Sequence, residues 1–389
     1  MFLRKPARRA IPPIITFWNW LLNLSIYLLL IALVMNLDEF RLLGQLAGGV
    51  SVFESAWLLL VTAVAVLFAS GAVHELGHLL AGKWVGFRFH LLVIGPLKIQ
   101  RKRDGLRVQW QWSNSLFSGL TACLPENDDR LRWRMLAFAA GGPLASVVLA
   151  GVSAFVFFHY RRDFAFLREM GWVVEVAAAA AVASLIFFFS SMKPGLYHTG
   201  LPADGGRIAS LLQGDKMAER WCTLVMLNGV DALGLRPRDW DAALVYKAMT
   251  LADGTHDDLS ARILGYQWAL DSGRLDMAWR LLDEALENWA AWMSGARISL
   301  TLEKAYFLAH HRRNVDDARH WFEQVRQRRG IRPLQQRAEA AILLAEGKYE
   351  AAQALAASGL ATLQQEVPTG MVLAESDWCR DILQRAQLP

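Results

Sequence analysis

The chain has 389 residues, 54% of them hydrophobic, with a formal net charge of +5 and a mean hydropathy of +0.23. That hydropathy excludes a protein soluble throughout and one embedded in lipid throughout, and the length allows two domains. The basic residues cluster beside apolar runs, where orientation in a bilayer accounts for them, so the charge is not read as nucleic-acid affinity.

Four apolar runs, at residues 14–35, 56–80, 135–158 and 172–189, are the predicted spans. Each approaches or exceeds the ~20 residues that cross ~30 Å of hydrocarbon as a helix. The first follows Arg4, Lys5, Arg8 and Arg9; it is long enough to span and lacks a cleavage site, so it reads as an anchor and not as a removable leader. Those four charges hold the N-terminus in the cytoplasm. Residues 36–55 carry only Arg41 beside Asp38, Glu39 and Glu54 and are expected outside. The next loop, with Lys98, Arg101, Lys102, Arg103, Arg107, Arg130, Arg132 and Arg134, is expected inside. Arg161, Arg162 and Arg168 oppose this order, but the balance predicts four spans with both termini cytoplasmic, in a multi-pass protein of a bacterial inner membrane.

The second run ends in His74-Glu75-Leu76-Gly77-His78. On a helix the two histidines are four apart and share one face, so both imidazoles can reach one tetrahedral Zn²⁺. Glu75 is offset from that stripe and can hold a water as general base. Ionisable groups inside a span are costly unless they have a function. His74 lies about 27 Å along the helix from Ala56, which places the pair near the cytoplasmic edge. The fourth run also ends on that side, and after it comes Leu201-Pro202-Ala203-Asp204-Gly205-Gly206. Asp204 is the candidate third ligand, and Gly205 allows the tight backbone turn that starts a helix. Near the start of the third run, Gly141-Gly142-Pro143-Leu144-Ala145-Ser146 supplies small residues for close helix packing, with Pro143 able to kink the helix. Gly142 and Pro143 are read as packing beside the site.

Together these three motifs, over roughly residues 50–215, resemble the site-2 protease family of intramembrane zinc metalloproteases. The resemblance implies a three-helix catalytic core with zinc on His74, His78 and Asp204, and Glu75 as base. It implies cleavage of a transmembrane helix of a client protein near the cytosol, often after an earlier cut outside, with release of a signalling fragment. Many relatives place an asparagine three residues before a proline upstream of the Asp-Gly pair, where its amide binds substrate or the oxyanion; the matching position before Pro194 is Ser191. His198 lies in a longer segment between Pro194 and Asp204 and is read as a loop histidine.

Between the second and third spans, alternating apolar residues in 87–100 and 106–111 flank Arg103-Asp104-Gly105 and predict a β-hairpin. Relatives carry strands here that can pair with an unwound client. From about Gly214 the sequence turns helical and soluble. Gly273, Leu275, Ala278, Leu282 and Ala285 align with Arg313, Val315, Ala318, Phe322 and Val325, and with Gly347, Tyr349, Ala352, Ala356 and Gly359. Small residues at helix crossings with large ones beside them resemble tetratricopeptide-type repeats, which bind protein partners. Cys123, Cys222 and Cys379 are far apart and read as free thiols.

The expected fold is therefore mainly α: an N-terminal helix and loop (1–50), a metalloprotease core (51–213) and a cytoplasmic helical repeat domain (214–389). The expected partners are a transmembrane client, the lipid bilayer and a protein bound through 214–389, with no nucleic acid. Two other readings stand beside it. One is a catalytically inactive membrane scaffold whose repeat domain binds a partner, which an intact Glu75 disfavours. The other is a transporter, which would spread polar residues along several spans.

Overall fold

A computed structural model describes residues 56–102, 105–111, 119–194, 202–287, 294–327 and 332–387. The first predicted span, at 14–35, lies outside the described residues.

Three described helices are long and apolar enough to cross a membrane: α1 (Ala56–Trp84), α2 (Leu131–Tyr160) and α3 (Phe164–Ser191). Each overruns its predicted span. α3 starts eight residues early because Asp163 caps it, its carboxylate accepting from the amides of Ala165 and Phe166 at 3.1 Å each. A break at Met170 (φ −131°, ψ 26°) then separates this opening turn from the apolar run expected from 172. α2 continues through Pro143, although proline leaves the Ala139 carbonyl without its usual helical donor.

α1 and α2 pack closely through paired small residues. A Cβ on Gly77 would strike the Gly141 carbonyl and Ala145, and one on Gly141 would strike the Gly77 carbonyl and Ala81. In a bilayer, where apolar burial adds little, such backbone approach is what holds helices together.

Between α1 and α2 lies an antiparallel sheet of order β3-β2-β1-β4, made of β1 (Arg88–Ile94), β2 (Leu97–Lys102), β3 (Gly105–Trp110) and β4 (Gly119–Leu124). The predicted hairpin is the β2–β3 pair, with Lys102 opposite Gly105. Two features correct that expectation. The stretch 87–100 is two strands, because Gly95 (φ 54°) and Pro96 fold it back so that Ile94 pairs with Leu97. β4, not anticipated, pairs with the other side of β1 and puts Thr121 opposite Leu92.

After Ser191 the chain enters a short helix, α4 (Asp204–Gln213), then α5 (Lys216–Ala232), a 3₁₀ turn (Pro237–Asp239), α6 (Ala242–Ala248) and α7 (His256–Asp271). Six further helices follow: α8 (Leu275–Glu287), α9 (Ser294–His310), α10 (Val315–Glu323), α11 (Arg332–Ala345), α12 (Tyr349–Leu363) and α13 (Gly370–Gln387). Gly273, Arg313 and Gly347 each take positive φ (72°, 54° and 76°) two residues before α8, α10 and α12. The aligned Ala278, Ala318 and Ala352 are all fully buried, as are Leu282, Phe322 and Ala356.

One ionic cluster lies inside these helices. Arg337 of α11 is fully buried, with Nη2 2.7 Å from Glu303 of α9 and Nη1 3.0 Å from Glu375 of α13. Tyr266 of α7 donates to the same Glu303 oxygen at 2.8 Å. A buried charge of this kind is tolerable only when paired, so the cluster fixes which helices face one another. Cys123, Cys222 and Cys379 are free.

Candidate metal centre

The core of the site follows from helical spacing. His74 and His78, one turn apart on α1, have ring centroids 5.0 Å apart and both are buried. Each ring is turned by a partner on α2. His74 Nδ1 lies 2.9 Å from Ser146 Oγ, and His78 Nδ1 lies 2.8 Å from the Phe138 carbonyl oxygen. A carbonyl only accepts, so His78 carries its proton on Nδ1 and offers the Nε2 lone pair to the other side. Gly142 makes room for this: a Cβ there would occupy the position of His78 Nε2. Phe187 of α3 flanks His74, with ring centroids 6.2 Å apart.

Asp204 arrives from α4. Its Oδ2 lies 3.2 Å from His74 Nε2 and 3.4 Å from His78 Nε2. The first turn of α4 abuts the end of α3, since a Cβ on Gly205 would meet the Met192 carbonyl.

His74, His78 and Asp204 each offer one ligand atom, all within 4.8 Å of one another. A tetrahedral ion with bonds of about 2.0–2.1 Å has ligand-to-ligand edges of about 3.3 Å. The two nitrogen–oxygen separations match that edge. Both Nδ1 atoms have outer partners, the arrangement that orients metal-bound imidazoles. The residues present therefore fit a divalent metal held by two nitrogens and one oxygen.

Glu75, buried beside His74, turns toward the sheet. Thr121 of β4 donates to Glu75 Oε2 at 2.6 Å, and the same hydroxyl lies 3.0 Å from the Glu75 carbonyl oxygen. Gly119 permits this approach, because a Cβ there would overlap Glu75 Oε1. The strand thus supports the carboxylate from two positions.

The sequence-derived residues His74, His78 and Asp204 come together, with Glu75 and Gly142 against them, while Pro143 is buried in α2. Ser191 stands elsewhere in the bonding pattern: it is buried at the last turn of α3, and its hydroxyl donates to the Phe188 carbonyl at 3.2 Å. His198 is outside the described residues. Sequence reasoning missed Thr121 and treated Ser146 only as a small packing residue. A buried serine inside an apolar span, one turn beyond Gly142, is a polar group in need of a partner, and that would have singled out Ser146.

The three long apolar helices carry a His74–His78–Asp204 group that could hold a metal ion, with the Glu75 carboxylate beside it. Residues 62–190 match the model of peptidase family M50, the site-2 protease family, and the match points to an intramembrane metalloprotease. The matched stretch contains His74, Glu75, His78 and Ser146 and ends before Asp204. Comparison with curated proteins and with solved structures gives no match.

Proposed function

We propose that this chain is a zinc-dependent endopeptidase that hydrolyses a peptide bond in or near a transmembrane helix of a client membrane protein. The cut falls on the cytoplasmic side of a bacterial inner membrane, in regulated intramembrane proteolysis. The observation that carries the reading is the convergence of two imidazole Nε2 atoms and the Asp204 carboxylate beside a glutamate that binds none of them.

His74, His78 and Asp204 would hold the metal, leaving a coordination position open, as catalytic zinc sites do. Bound zinc supplies Lewis acidity toward water and the scissile carbonyl. Glu75 takes the proton from the attacking water and returns it to the leaving amine. Thr121 keeps the Glu75 carboxylate aimed, and Ser146 and the Phe138 carbonyl keep the imidazoles aimed. The client helix must unwind first, since its carbonyls are otherwise closed in its own hydrogen bonds. β4, whose Thr121 touches the base, is suited to hold an extended segment by strand pairing. The left-handed residues before α8, α10 and α12 and the buried alanines after them support a tetratricopeptide-like repeat domain that recruits clients from the cytosol.

The test compares membrane proteomes of cells carrying wild type, Glu75→Gln and Asp204→Asn, with the metal content of each purified protein. Glu75→Gln should lower cleavage by about 10²–10⁴-fold while keeping its zinc. Asp204→Asn should lose both. A Glu75→Gln variant that still shortened the same membrane proteins would refute the assignment.

A further inference from the structure

We propose that Arg207 and Asp257 form a latch through which the helical domain sets the position of Asp204 in the metal site. The inference rests on the reading of His74, His78 and Asp204 as ligands. Asp204 stands in the first turn of α4, and Arg207 lies on the next turn of the same ten-residue helix. Its guanidinium makes a two-pronged pair with Asp257 of α7, Nη1 to Oδ2 at 2.5 Å and Nη2 to Oδ1 at 2.9 Å, with both side chains nearly buried. It also stacks on Trp221 of α5, 4.3 Å from the ring centre.

The geometry of this pair gives it control over rotation. A planar fork bonded at both prongs fixes direction as well as distance. A ligand oxygen must be placed to within about 0.5 Å to serve a metal. A second polar brace on α4 acts at its far end, where Arg132 of α2 donates to the carbonyls of Leu211 and Leu212 at 2.5 and 2.8 Å. Arg132 grips the helix end from the membrane core; Arg207 grips it near the ligand from the helical domain.

Asp257 is a firm anchor. It lies in the first turn of α7, where the helix dipole favours a carboxylate, and Thr255 caps that helix. Arg220 of α5 docks on the same turn, pairing with Asp253 at 3.0 Å and donating to Thr255 Oγ1 at 2.9 Å. A displacement of α7, such as a partner seated on the helical domain could impose, is thus transmitted through one ion pair to the third ligand. By reciprocity, a bound metal strengthens the contact between α4 and α7.

Zn²⁺ affinity of the full-length protein in detergent micelles, measured against a chromophoric chelator, tests this, with thermal unfolding recorded in parallel. Asp257→Asn should weaken Zn²⁺ binding by about tenfold, the scale for residues that orient a ligand. Glu346→Gln breaks the Arg319–Glu346 pair, which involves neither α4 nor α7; it should lower the melting temperature yet leave affinity within about twofold. Added Zn²⁺ should also raise the melting temperature of wild type more than that of Asp257→Asn. Unchanged affinity in Asp257→Asn, or equal weakening in both variants, overturns the latch. Failure of wild type to bind Zn²⁺ overturns the metal site itself, and the latch with it.

Discussion

His74 and His78 could be placed from spacing alone because a helix brings residues four apart onto one face, and that rule holds inside a membrane as in water. Asp204 was legible through topology: the second and fourth predicted runs were expected to end on the same side. Thr121 was not legible, since it reaches Glu75 across a 46-residue separation through a strand that the sequence pattern does not announce. Its hydroxyl offers one proton to a carboxylate that, in the proposed mechanism, aims at a single water. Thr121→Val keeps the shape and removes that bond, so kcat should fall roughly tenfold with KM and zinc content unchanged, and Thr121→Ser should restore it. A change in KM alone, or no rescue by serine, would assign Thr121 to packing. Ser191 illustrates the opposite case: it stands where many members of the resembled family carry asparagine, and its hydroxyl is engaged by its own helix at Phe188.

Apolar runs mark where helices lie but not where they stop. α3 begins eight residues before its run because a polar cap at Asp163 and a break at Met170 set its start. The sheet was half legible, because alternation shows a strand and hides a fold-back such as Gly95-Pro96 within an apolar stretch. Among the helices after α3, the end of α9 is sensitive to acid. His311 packs against Phe307 and Tyr306, and its Nε2 is buried without a hydrogen-bond partner. Burial, with His310, Arg385 and Arg337 nearby, pushes its imidazole down to about 3. Unfolded, the ring titrates near about 6.5. The folded form therefore binds its proton less readily, and stability that is complete above that value is lost as pH falls toward 3. Acid titration of tryptophan fluorescence should show this loss in wild type and a shallower one in His311→Phe; identical curves would exclude His311 as the cause.

Across the whole molecule, the change from long apolar helices to shorter helices of mixed composition was visible in the sequence, whereas the contacts between them were not, because ion pairs such as Arg207–Asp257 join residues 50 apart. At the crossing of α1 and α2 the two backbones touch at Gly77 and Gly141, and the His74–Ser146 and His78–Phe138 bonds pin them on the same face. In the proposed function, a client segment reaches the site from the flank bordered by α3 and the sheet and not across this crossing. A disulfide staple between α1 and α2 should then leave turnover intact, while one between α1 and α3 should arrest it; arrest by both would mean that traffic is not confined to one side.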